Sequence, residues 1–203
     1  MRRLCLVLAV CLAATSDAAH AATSCDVAGC VNAVWGPGQI AAGFGEAPFR
    51  PGQTFTPKLT GELGAVHLGL ESTTGTGVAA IAEIRATVNG LPTSAVIAEA
   101  VVPGAPYTGG VLHSVDFSAQ HLVLVQGTRY AVTLRSTSHQ YILAAFPPCF
   151  TTTGANDYVY SDDAGQTWAK LPTRDRSFIF EVCMDVPTAA RRDTWGRVKT
   201  IYR

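Results

Sequence analysis

The chain has 203 residues, of which 48% are hydrophobic, 8% aromatic and 15% charged. That length excludes a six-bladed β-propeller, whose blades need about 40 residues each. The formal net charge of zero conceals an acidic body and a basic tail: residues 22–190 hold eight Lys/Arg against thirteen Asp/Glu, and residues 191–203 hold five against one. An acidic body argues against a dedicated nucleic-acid binder, which presents cations to phosphates.

At the N-terminus, Arg2 and Arg3 precede an apolar run from Leu4 to Ala14 and a small-residue stretch ending Ala19-His20-Ala21. These are the three parts of a secretory signal peptide, predicted over residues 1–21. The apolar run of about eleven residues is too short to cross a bilayer as a helix, and no later run is long enough, so no transmembrane segment is expected. Lipid attachment fits poorly, because Val10 precedes Cys11 where a small residue is wanted, and Ala22 stands where an aliphatic residue usually leads to Cys25. Signal-peptide removal takes Cys5 and Cys11 and leaves Cys25, Cys30, Cys149 and Cys183. Four cysteines in an exported chain imply two disulfides with three possible pairings. The favoured one joins Cys25 to Cys30 and Cys149 to Cys183. Zinc is not expected, since no Cys-x-x-Cys pair is present, and no metal or cofactor is called for.

Residues 22–44 read as a loop-rich lead-in containing Trp35-Gly36-Pro37-Gly38. Short apolar or alternating runs then predict strands over residues 63–70, 78–88, 95–102, 111–117, 121–125, 130–135 and 177–182. Turn residues such as Asn89-Gly90-Leu91-Pro92 and Gln126-Gly127-Thr128 separate them. Residues 79–86 also have helical propensity, but their β-branched neighbours and close turns decide for strand. The predicted fold class is all-β, an antiparallel β-sandwich or jelly-roll-like single domain over residues 45–186. About 140 residues bury roughly two thirds of their unfolded surface, enough for a core without help from disulfides. Residues 187–203 form a linker and basic tail.

No G-x-S-x-G, H-E-x-x-H or P-loop signature is present, which removes the common hydrolase and NTPase readings. His113, Ser114 and Asp116 make a poor triad, because neighbours on a strand alternate faces. His67, His121 and His139 read as ordinary strand or loop residues. Glu83 and Glu99 fall on adjacent predicted strands, where they could face each other as a glycosidase pair.

Ser161-Asp162-Asp163-Ala164-Gly165-Gln166-Thr167-Trp168 fits the pattern Ser-x-Asp-x-Gly-x-Thr-Trp. It resembles the Asp-box of sialidases and other secreted β proteins, a hairpin turn usually remote from catalysis. A structural role is expected for Ser161, Asp163, Gly165, Thr167 and Trp168, with the Ser161 and Asp163 side chains bonding local amides, in preference to a calcium site of Asp157, Asp162 and Asp163. The motif is preceded by Gln53-Thr54-Phe55-Thr56, Gly90-Leu91-Pro92 with Ile97-Ala98, Val115-Asp116-Phe117, and Gly127-Thr128-Arg129-Tyr130. In that order the motifs resemble the bacterial choice-of-anchor R type of exported surface domain. Ala164 and Gln120 depart from its pattern, where glycine and proline are usual. The resemblance implies a displayed or secreted β-sandwich, similar to carbohydrate-binding jelly rolls, with no catalytic residues to carry over.

The tail, with Trp195, Gly196, Lys199, Tyr202 and Arg203, resembles short endings of assorted exported bacterial proteins and reads as a sorting or docking tag. For glycan stacking, Trp35, Tyr141 and Tyr158 are the candidate platforms. The expected function is a non-catalytic module, secreted or at the cell surface, that binds a glycan or another surface component. A structural or adhesive protein-interaction module and a secreted glycoside hydrolase are the alternatives.

Overall fold

Turn chemistry and period-two apolar patterning divide the chain into short strands that are shared between two sheets. The computed structural model describes residues 22–27, 40–44, 48–72, 80–104, 107, 111–135, 141–144, 157–170 and 180–186. In chain order the strands are β1 (Ala22–Val27), β2 (Ile40–Phe44), β3 (Arg50–Phe55), β4 (Gly61–Ser72), β5 (Ile81–Val88), β6 (Leu91–Val101) and β7 (Leu112–Asp116). They continue as β8 (Val123–Leu124), β9 (Tyr130–Arg135), β10 (Tyr141–Ala144), β11 (Tyr158–Ser161), β12 (Ala169–Lys170) and β13 (Phe180–Val186). Among the described residues there is no α-helix, and none is long and apolar enough to cross a membrane. A 3₁₀ turn at Ser118–Gln120 ends at His121, which takes a left-handed φ of 50°.

One sheet has the order β1-β13-β4-β10-β2, with β7 and β8 also pairing with β4, and the other has the order β12-β11-β3-β9-β5-β6. Each described strand pairing is antiparallel. The architecture is all-β and sandwich-like. The core lies where the sheets meet: Leu63, Val66, Leu68 and Leu70 of β4 cluster with Phe55, Ile84, Val132 and Leu134 of the other sheet. Phe55 meets Phe180 edge-on across this layer, with centroids 5.9 Å apart. Inward positions on β4 change parity between Leu63 and Val66, where β13 shifts register between Cys183 and Met184. That bulge keeps both halves of a long strand facing the core.

Several boundaries differ from those read in the sequence. The strand expected at residue 95 begins at Leu91, because Asn89 (φ 53°) and Gly90 (φ 76°) alone complete the hairpin turn. Pro92 is accommodated because β6 is the last strand of its sheet. The supposed lead-in supplies β1 and β2, so the compact unit runs from Ala22 to Val186 and not from residue 45. In β1, Thr23 donates to Asp185 at 2.7 Å, a cross-strand bond that composition did not reveal.

The cysteine pairing is also corrected. Cys25 is bonded to Cys183, since the ladder between β1 and β13 places the two directly opposite each other. This excludes both Cys25–Cys30 and Cys149–Cys183. Cys30 and Cys149 lie outside the described residues.

Candidate functional site

The outer face of the six-stranded sheet, turned away from the core, carries charge where a strand pattern usually leaves solvated residues. Glu83 and Arg85 of β5 alternate with the core residues Ala82 and Ile84, so they share the outer face with Thr133 of β9 and Arg50 of β3. Glu83 is 1% exposed and Arg85 2%. Burying such charges requires close compensation.

That compensation is supplied by a network around Glu83. Arg85 donates to Glu83 Oε2 from Nη2 at 2.7 Å and from Nε at 3.2 Å, and Thr133 Oγ1 donates to the same oxygen at 3.0 Å. Arg50 Nη1 and Arg135 Nε donate to Glu83 Oε1 at 3.1 and 2.7 Å. Arg85 Nη1 satisfies the Thr93 and Ser94 carbonyls at 3.0 and 2.6 Å. Burial by itself would raise the Glu83 pKa, but the bond and charge of Arg85, with Arg50 and Thr133, outweigh it and hold the carboxyl below its usual range.

Arg135 carries the network to the surface. It is 30% exposed and bridges to Glu99 on β6, 52% exposed, through an Nη2–Oε2 bond of 2.9 Å. Burial would lower the Arg135 pKa, but Glu99 and Glu83 together raise it. Glu83 and Glu99 are direct register partners across β5 and β6. A facing carboxylate pair therefore exists, with a guanidinium joining its members.

The hairpin at residues 161–168 closes over this cluster. Ser161 Oγ donates to Asp163 Oδ1 at 2.7 Å and accepts from the Gly165 amide at 2.7 Å. Asp163 accepts from the Thr167 hydroxyl at 2.6 Å and its amide at 2.9 Å. The Thr167 side chain and amide, then Ser161, draw the Asp163 pKa down to about 2. Gly165 has φ +85°, and a Cβ there would lie 3.0 Å from Arg85 Nη2 and 3.3 Å from Arg50 Nη1. Trp168 lies against Arg85, with the guanidinium carbon 5.3 Å from the indole centroid. Asp157 is engaged elsewhere, with Lys170 Nζ at 2.7 Å and Arg129 Nη1 at 3.3 Å. The oxygens of Asp157 and Asp163 thus serve separate local tasks.

The aromatic candidates fare differently. Tyr158 is 5% exposed and belongs to the core, so its ring is withdrawn as a stacking platform: its position on β11 faces inward. Tyr141 lies in β10, paired with Phe44 and Ser72. Trp35 and the tail residues Trp195, Gly196, Lys199, Tyr202 and Arg203 lie outside the described residues. Among the described residues the large exposed apolar side chains are aliphatic, including Val96, Ile97 and Val101 on β6.

Sequence reading missed a second polar cluster, on the outer face of the other sheet. His67 Nδ1 lies 3.0 Å from Glu181 Oε2 and 3.8 Å from Cys183 Sγ. Only strand pairing brings His67 to Glu181 and Cys183, which lie more than a hundred positions later in the chain.

No protein-family model and no curated protein sequence matches the chain. Among solved structures, it is similar to the cysteine protease and lectin-like domains of Cwp84, a surface layer associated protein of Clostridium difficile, at 11% identity and a TM-score of 0.43. The likeness covers 68% of this chain and 32% of that one, so the chain spans about a third of its length.

Proposed function

We propose that the chain is an exported, non-catalytic β-sandwich module that recognises a carbohydrate or another surface component through the Arg50–Glu83–Arg135–Glu99 array. The observation that carries this reading is Arg135, held between two carboxylates at 2.7 and 2.9 Å and still partly exposed. Two of its five N–H donors serve those bonds. The remaining donors sit beside a Glu99 acceptor in a geometry fixed before any ligand arrives, and that pre-organisation suits vicinal sugar hydroxyls. Arg50, Arg85 and Arg135 against Glu83 and Glu99 leave one net positive charge, which favours an acidic glycan over a neutral one.

Export is supported by the signal-peptide pattern of residues 1–21 and by the Cys25–Cys183 disulfide, a bond that persists in oxidising compartments. Display at a surface is in keeping with the resemblance to choice-of-anchor R domains, and residues 187–203 would serve as the docking tag. The absence of catalysis is argued from Glu83: a glycosidase needs two carboxyl groups open to the sugar, whereas Glu83 is buried and both of its oxygens are taken by Arg50, Arg85, Arg135 and Thr133.

A protein-contact module is the second reading, favoured by the exposed Val96, Ile97 and Val101 on β6, a strand that ends its sheet. A glycan array, together with retention on cells with and without residues 187–203, separates the two. Binding to acidic glycans supports the first. Tail-dependent retention with no glycan bound supports the second.

A further inference from the structure

Three adjacent strands bring four metal-ligating side chains to one patch. On β13, Glu181 and Cys183 are two residues apart and share the outer face. On one side of them, Cys25 of β1 stands opposite Cys183; on the other, His67 of β4 stands opposite Glu181. The ligand atoms of Cys25, Glu181 and Cys183 all lie within 4.8 Å of one another. His67 Nδ1 adjoins this group of three on the β4 side, 3.0 Å from Glu181 Oε2 and 3.8 Å from Cys183 Sγ. Donors on one tetrahedral zinc ion are separated by roughly 3.3–3.8 Å, given Zn–S near 2.3 Å and Zn–N near 2.0 Å.

We propose that reduction of the Cys25–Cys183 disulfide turns this patch into a binding site for a divalent zinc-like ion, with Cys25, Cys183, His67 and Glu181 as ligands. In the oxidised chain each sulfur is committed to the other, and His67 to Glu181. A dithiol reductant breaks the S–S bond, delivers two electrons and two protons, and leaves as its own disulfide. The ion then takes the two sulfurs as thiolates and releases their two protons. Imidazole and carboxylate supply the other two positions, replacing the His67–Glu181 hydrogen bond. Two thiolates and one carboxylate against one dication suit zinc or cobalt better than magnesium or calcium, which prefer oxygen. Approach is open, because Cys25 is exposed and His67 and Glu181 are partly exposed. The strand frame that sets the ligands is built from β13 ladders on both sides. The sequence gives no sign of such a site, because zinc ligands are recognisable there as closely spaced pairs, whereas Cys25 and Cys183 are separated by 158 positions.

The test titrates cobalt(II) into the full chain carrying Cys5→Ser, Cys11→Ser, Cys30→Ser and Cys149→Ser, oxidised or reduced with a phosphine under anaerobic conditions. The reduced chain should bind one cobalt with thiolate charge-transfer absorption and the intense visible bands of a tetrahedral ion, and the oxidised chain should show neither. His67→Ala and Glu181→Gln, which retain both thiols, should each weaken binding at least about tenfold, the scale seen even for groups one shell further out. Near-ultraviolet circular dichroism reports whether the reduced chain keeps its fold. Unchanged affinity in both variants, equal binding by the oxidised chain, or a reduced chain that unfolds without forming the tetrahedral spectrum would each overturn the proposal.

Discussion

Trp168 seals Arg85 beneath the hairpin: the guanidinium carbon lies 5.3 Å from the indole centroid, and the indole N–H donates to the Gly165 carbonyl at 3.2 Å. One side chain thus covers a buried cation and fastens its own turn. Trp168→Ala should cost about 3–5 kcal/mol in urea denaturation, the scale of emptying a buried aromatic site. Trp168→Phe keeps a ring over the guanidinium but loses the N–H bond, and should cost about 1–2 kcal/mol.

Glu83 is the common acceptor of three arginines. Glu83→Leu should destabilise by about 3–5 kcal/mol, because it leaves Arg85 charged and buried. Glu83→Leu combined with Arg85→Met should lose less than Glu83→Leu alone. A double variant no more stable than Glu83→Leu alone would mean that the Thr93 and Ser94 carbonyls, which Arg85 also satisfies, outweigh the unpaired charge.

The same carboxylates set the acid limit. Asp163 is held at about 2 against an ordinary 3.8, and Glu83 lies below its ordinary 4.5. Both folded-state values are depressed, so the unfolded chain takes up protons first as pH falls. Their contribution is fully present above the unfolded values and is lost as pH drops through the folded ones. The urea midpoint should therefore hold steady from pH 7 to about 5 and decline from about pH 4 toward 2. Asp163→Asn should flatten the lower part of that decline.

Much of the fold was legible in the sequence, and the charged array was not. Apolar alternation marked β4, β5, β7 and β9 because half of each strand faces the core. β3 was hidden by Pro51 and Gly52, yet Gly52 is needed there: a Cβ would lie 2.7 Å from Thr133 Cγ2 on the neighbouring strand. The facing of Glu83 and Glu99 could be read from strand adjacency. Their union through Arg135, like the Cys25–Cys183 bond, could not, because both depend on which distant strands become neighbours. Tyr158 misled for a related reason, since an aromatic near a loop looks accessible until its face is known.

Ala164 takes a left-handed φ of 59° in the hairpin. A Cβ in that region costs about 1–2 kcal/mol, partly offset by the entropy that glycine adds to the unfolded chain. Ala164→Gly should therefore raise stability by about 0.5–1 kcal/mol in thermal or urea denaturation. Gly165→Ala should do the reverse by a larger margin, since its Cβ meets both left-handed strain and Arg85.

The most direct measurement of the central claim is binding of the full, oxidised chain to an array of acidic and neutral glycans, repeated with Arg135→Ala and with Val123→Ser as a distant surface control. Arg135 binding through its free donors predicts affinity for acidic glycans, a loss of about tenfold or more in Arg135→Ala for one charge-assisted contact, and no change in Val123→Ser. Glycan binding that survives Arg135→Ala intact, or no binding to any glycan, would contradict it.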